Sequence, residues 1–135
     1  MSDKPFFDTN VLVYALGERE DRTAIAEALL ASGGVVSIQV LNELAAVAHR
    51  KLGMSWPDVA IALDAIKTLC PSPVPLTLPT HDLALRIAAT HRFHIYDSLI
   101  IAAALEAQCD TIYSEDLQAG QVIEGRLTIR NPFDN

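Results

Sequence analysis

The sequence predicts an α/β domain with helices flanking a mainly parallel sheet, and three observations point there. Short apolar runs ("KPFF", "VVSI", "DTIYS", "RLTIR") alternate with longer stretches of helical periodicity. Strands separated by helices pair in parallel, because a helical crossover returns the chain in the same direction. Half of the 135 residues are hydrophobic, with no Pro/Gly/Ser-rich linker, internal repeat or low-complexity stretch. One domain over residues 1–135 is therefore expected, and a chain of this length can bury roughly two-thirds of its unfolded surface.

The elements follow in order. "KPFF" reads as a short buried strand ending at Phe7, and "NVLVYAL" as the start of a helix. In "DRTAIAEALLASGG" the residues Ile25, Ala28 and Leu29 share one helical face, and Gly33 and Gly34 close the helix. "VVSI" (35–38) is a second strand, and "QVLNELAAVAHRKLG" returns to helix with Gly53 as its stop. A further helix is expected from Trp56 to Leu69, with Ser55 as N-cap and Pro57 in the first turn. The prolines of "PSPVPLTLP" (71–79) allow only an edge strand or an extended link. "THDLALRIAATHRF" is a helix capped by Thr80, "DSLIIAAALEAQ" another that opens at Asp97, and "DTIYS" and "RLTIR" are strands.

Composition excludes several classes. No stretch reaches the roughly 18 apolar residues of a membrane span, and "MSDKPFFD" lacks the apolar centre of a signal peptide, so a soluble cytoplasmic protein is expected. Cys70 and Cys109 have no CxxC spacing and read as reduced core residues. The net charge of −7 argues against non-specific electrostatic binding to nucleic acid. It leaves open an enzyme that gathers divalent cations on clustered carboxylates, since those cations reverse the sign of the potential locally.

Four carboxylates fall at or near element junctions: Asp8 after the first strand, Glu43 in the helix after the second, Asp97 at a helix start and Asp116 after "TIYS". Asp8 and Asp97 each also suit a plain N-cap, Glu43 an amphipathic edge and Asp116 a turn. "VLNELAAVA" and "IYDSLIIAAA", however, embed acids in segments that should otherwise be buried. An unpaired carboxylate there costs several kcal/mol or gives up its charge. Those segments carry no matching supply of Arg or Lys, and a parallel sheet gathers functional groups beyond the carboxyl ends of its strands. Clustered oxygen ligands suit Mg²⁺ or Mn²⁺.

"FFDTNVLVYAL", "VLNELAAVA", "IYDSLIIAAA" and "TIYSEDLQAG" resemble the four acidic motifs of the PIN domain, specifically its small VapC-like toxins from toxin–antitoxin pairs. The resemblance covers essentially the whole chain and extends to the closing "NPF" at 131–133. It implies a three-layer α/β/α fold and, as catalytic metal ligands, Asp8, Glu43, Asp97 and Asp116, with Asp8 and Asp97 the principal pair. Asn10 and Ser114 would orient the acids rather than bind metal. The implied activity is Mg²⁺-dependent (or Mn²⁺-dependent) hydrolysis of RNA phosphodiester bonds, leaving 5′-phosphate and 3′-hydroxyl ends. The implied partners are an RNA substrate, an antitoxin protein and a second copy in a homodimer. One departure is Leu117, where many members carry an aromatic residue, which puts the packing of that loop in question.

Other residues read as structural. His91 and His94 stand three apart near Asp97 but fit a helix-terminal pair, and His49, Arg50, Lys51, Arg86 and Arg92 fit solvated helix faces as well as phosphate contacts. No aromatic and basic residues interleave as a stacking platform. Trp56 and Tyr14 read as ordinary core packing, though the resemblance would also allow them to support a helical groove for an antitoxin peptide. A phosphatase of the haloacid dehalogenase type would need an acid where Asn10 stands. The remaining alternatives are a non-catalytic RNA- or protein-binding module and a housekeeping nuclease without a toxin role.

Overall fold

The computed structural model describes residues 3–134. In chain order the elements are β1 (Phe6–Phe7), α1 (Thr9–Leu16), α2 (Glu20–Ala31), α3 (Ile38–Arg50), α4 (Trp56–Leu69), α5 (Leu78–His91), α6 (Ile95–Glu106), β2 (Thr111–Tyr113), β3 (Val122–Ile123) and β4 (Leu127–Arg130). The sheet order is β1-β2-β4-β3, with β1, β2 and β4 parallel and β3 antiparallel to β4. The fold is thus the expected α/β arrangement, helices flanking a mainly parallel sheet. Its deepest element is α6, buried without interruption from Ser98 to Leu105. A helix apolar all round has to be enclosed by other elements, and α6 packs against α5 and α3.

Several local expectations are corrected. "VVSI" is not a strand: Val35 and Ser37 make single parallel bridges, to Phe6 and Val74, and Ile38 already belongs to α3. The reason is Ser37, whose hydroxyl accepts from the Val40 N–H at 3.2 Å and so ends the extended run by capping the helix. In α2 the buried residues are Ala26 and Leu30, while Ile25 and Ala28 face solvent and Leu29 is half-buried, so the inward face is rotated by one residue from the expected one. Thr80 does not cap α5. Thr77 does, its hydroxyl accepting from Thr80 N–H at 3.2 Å, and Thr80 completes the capping box from inside the first turn. Asp97 is the third residue of α6, not its start; His94 occupies the N-cap. β3 was not anticipated, because a two-residue strand leaves no periodicity to read.

The start of the sheet is tightly packed. Phe7 is fully buried, and a Cβ added at Gly34 would overlap its ring, with Cδ2 and Cζ only 2.9 Å away and Cε2 nearer still. Gly34→Ala is therefore expected to destabilise the fold by about 3 kcal/mol, the upper end of overpacking effects, because a buried ring has nowhere to retreat. Urea denaturation midpoints of the two proteins check this.

Candidate active site

Asp8 sits where β1 ends and α1 begins, and the parallel pairing of Phe7 with Tyr113 puts the end of β2 beside it. The Asp8 N–H donates to Tyr113 O at 3.0 Å, so Ser114, the next residue along, lies against the Asp8 side chain. The carboxylate is only 5% exposed and is held by three donors. Its Oδ1 accepts from Thr9 N–H at 2.7 Å, and its Oδ2 from Ser114 Oγ at 2.7 Å and Asn10 Nδ2 at 3.3 Å. Asp8 therefore does act as a helix cap, and one that is locked from the sheet side as well.

Asn10 and Ser114 form the frame around it. Asn10 Oδ1 accepts from the Glu115 N–H at 3.0 Å, and Ser114 Oγ accepts from the Leu117 N–H at 3.2 Å. The loop after β2 is thus anchored to α1 on one side and to itself on the other. Leu117 is nearly buried within the main core, which answers the question its identity raised: an aliphatic side chain packs this loop.

Glu43 reaches the same place from the middle of α3. Thr9 Oγ1 donates to its Oε1 at 3.0 Å and Gln39 Nε2 to its Oε2 at 3.0 Å. Asp97 comes from the first turn of α6, and Asp116 from the loop after β2. All four acids line one cavity of about 350 Å³, together with Thr9, Asn10, Val13, Tyr14, Val47, Lys51 and Glu115. Ser114 stands behind Asp8, fully buried.

The electrostatics are those of crowded anions. Burial pushes the Asp8 carboxyl up from 3.8 to about 6; the Ser114 and Thr9 hydrogen bonds oppose this, and the charges of Asp97 and Glu43 add to it. Asp97 is raised by burial, then by Glu43 and Asp116, against a lowering influence from His94. Among the described residues no Lys or Arg forms an ion pair with any of the four acids. The fit to a metal can be judged from this donor set. No three His, Cys, Asp or Glu side chains among the described residues converge closely enough to enclose an ion by themselves. A closed protein cage is excluded, whereas Mg²⁺ keeps several waters and takes one or two carboxylates. Oxygen donors that no Lys or Arg neutralises among the described residues, around an open cavity, fit that kind of site.

Two polar lining residues, Thr9 and Glu115, escaped sequence reasoning. Thr9 ties Glu43 to α1, and its signal was its place between Asp8 and Asn10. Glu115 is a fifth acid, but Tyr14 OH donates to it at 2.7 Å and Arg22 forms an ion pair with it, so its charge is answered. Tyr14 in turn packs edge-on against Phe133, 4.9 Å between ring centres, which brings the "NPF" segment onto the site's flank. The two histidines near Asp97 have other work. His94 Nδ1 accepts from Tyr96 N–H at 3.2 Å to cap α6, and His91 Nε2 stands 3.5 Å from Glu124.

Loss of Ser114 isolates the value of this frame. Ser114→Ala removes one donor to Asp8 and the acceptor for Leu117 N–H; if Asp8 holds a divalent ion, the affinity for Mn²⁺ is expected to fall about 10- to 100-fold, the usual effect of deleting a partner behind a ligand. Calorimetric titration of the metal reads this directly.

Comparison with known proteins gives a consistent fold. No curated protein matches the chain. VapC20 of Mycobacterium tuberculosis, described as a sarcin-ricin loop cleaving toxin, is similar with a TM-score of 0.66 at 19% identity, over 82% of this chain and 88% of that one. A toxin–antitoxin complex from Klebsiella pneumoniae gives 0.71 at 15% identity, over 97% and 99% of the two chains. VapBC2 from Rickettsia felis, bound to a DNA fragment from its promoter, gives 0.67 at 18%, over 93% and 96%. At such identities the likeness speaks for the fold alone. The sequence itself matches the PIN domain over residues 6–123, from β1 through β3, and the chain therefore belongs to the PIN domain family.

Proposed function

We propose that this chain is a Mg²⁺- or Mn²⁺-dependent endoribonuclease, a single PIN domain over residues 1–135, serving as the toxin of a toxin–antitoxin pair. The observation that carries the reading is the meeting of Asp8, Glu43, Asp97 and Asp116 in one cavity with no Lys or Arg paired to them among the described residues. Asp8 and Asp97 would be the principal ligands, with Glu43 and Asp116 completing the set. A divalent ion there supplies Lewis acidity and neutralises charge on the phosphate during in-line hydrolysis.

The chain's own residues do the rest. Thr9, Asn10 and Ser114 hold the Asp8 carboxylate in one orientation, and Thr9 and Gln39 do so for Glu43, so that little reorganisation is needed when a phosphate arrives. Raised Asp8 and Asp97 carboxyls also mean that protons compete with metal in weakly acidic solution, so activity should fall as the pH drops toward 6.

The toxin role and an antitoxin partner are supported by the resemblance of the motifs and by the toxin–antitoxin assemblies among the similar structures; a homodimer is proposed from the family resemblance alone. Among the described residues no helix is long and apolar enough to cross a membrane; the cytoplasmic site of action is part of the proposal. The test is cleavage of single-stranded RNA by purified protein with Mg²⁺ or Mn²⁺ against an EDTA control. Metal-dependent internal cleavage that leaves 3′-hydroxyl ends is expected. No cleavage with either metal, together with no change in metal binding for Asp8→Asn, overturns it.

A further inference from the structure

Beyond the acids, α3 carries a second set of groups. Its last turn holds His49 and Arg50, and Lys51 is its C-cap; Arg50 and Lys51 are the only two adjacent cations in the sequence. The chain then reverses through Gly53, whose φ of +69° suits a glycine, with Met54 N–H bonded back to Ala48 O at 3.1 Å. That reversal lays Trp56, the first residue of α4, on the His49 ring: the centroids are 3.9 Å apart and the planes 14° from parallel. His49 is fixed in turn, its Nδ1–H donating to Met54 O at 2.9 Å. Trp56 was expected to pack in the interior but is 58% exposed. One face rests on the imidazole, which leaves the other open.

We infer that the His49–Trp56 stack, flanked by Arg50 and Lys51, is a base-stacking platform that binds single-stranded RNA next to the catalytic cavity. The inference rests on the nuclease reading and names where the substrate strand lies. Three features favour RNA over a protein partner. The indole is supported from below in a flat stack, the arrangement on which a base can continue. Arg50 and Lys51 have no ion-pair partner among the described residues, so both are available to phosphates. Lys51 also lines the cavity of the four acids, as does Val47 one turn before it, so the platform and the cavity are continuous along α3. In a chain of net charge −7, a supported aromatic with adjacent cations offers a polyanion a local approach that the surface as a whole does not.

Trp56 is the only tryptophan, so its fluorescence reports on the platform alone. The experiment titrates a ten-nucleotide single-stranded RNA into Asp97→Asn protein in Mg²⁺, following tryptophan emission and, in parallel, electrophoretic mobility. Saturable quenching is expected. On the same background Trp56→Ala should weaken binding about tenfold, and Trp56→Phe should keep it within about threefold, since a ring still stacks. Lys51→Gln should lower the salt dependence of log K by about 0.7, the release expected for one single-strand phosphate contact. Circular dichroism checks that each variant is folded.

RNA retardation without quenching, or equal affinity in Trp56→Ala, overturns the platform while leaving metal-dependent cleavage by the wild type untouched. Emission that responds to protein concentration but not to RNA overturns it too, by assigning this face to a protein contact. Loss of the nuclease reading shows itself separately, as absence of metal-dependent cleavage in the wild type.

Discussion

Asp97→Asn protein is expected to fold normally and to cleave RNA at least a hundredfold more slowly than the wild type. Removing a partner behind a metal ligand already costs about 10- to 100-fold, and Asp97 is proposed as a ligand itself. The fold should survive because Asp97 sits only half-buried in the first turn of α6 and forms no ion pair among the described residues. Its carboxyl is already raised by burial and by Glu43, so replacing it with a neutral amide relieves repulsion. Single-turnover cleavage at saturating Mn²⁺, beside a thermal melt, separates the two effects: the rate falls while the melting temperature holds or rises. A variant that cleaves at the wild-type rate removes Asp97 from the proposed machinery.

The second large effect is a stability that depends on pH in the unusual direction for an aspartate. Asp8 titrates at about 6 in the fold against an ordinary 3.8, so between those values the native state binds more protons than the unfolded chain. Stability contributed by this group is complete below pH 4 and declines as pH rises through 6, a difference of about 3 kcal/mol. Asp97 is displaced the same way and adds to the trend. Other carboxylates titrate in this range too, so the clean measurement is the stability gap between wild type and Asp8→Asn in EDTA. The variant's relative advantage should grow by about 2 kcal/mol from pH 4 to pH 7, the part of the total that this window spans. Added Mn²⁺ should reverse it at pH 7, because a cation that binds only the folded wild type stabilises that protein alone. A gap that does not change with pH means the buried carboxylate is solvated in the native state.

What could be read from the sequence, and what could not, divides along physical lines. α4 was legible to the residue, because Ser55, Pro57 and the apolar spacing all act within one turn of each other. The four acids were legible as a set, since a carboxylate in an apolar segment announces a tertiary partner even when that partner is far away in sequence. The span 35–38 was not, because the same Ser37 suits a strand by its neighbours and a helix cap by its hydroxyl, and only the docking of Val74 and Phe6 decides. The inward face of α2 was missed by one residue, which is all that separates adjacent faces of a helix. Trp56 was misread for a related reason. Its type suggested burial, but as the first residue of α4 it projects from a chain reversal, where no second layer covers it.

The sheet order has a consequence for synthesis. β1 pairs with a strand more than a hundred residues further along, and the hydroxyl that orients Asp8 belongs to Ser114, 106 positions away. Contacts so distant along the chain form late, after the entropy of closing a long loop has been overcome. A chain emerging from the ribosome therefore exposes Asp8 and Glu43 long before anything can orient them, as two ordinary solvated carboxylates with no cavity between them. The cavity of the four acids would be completed in one step, when β2 inserts beside β1.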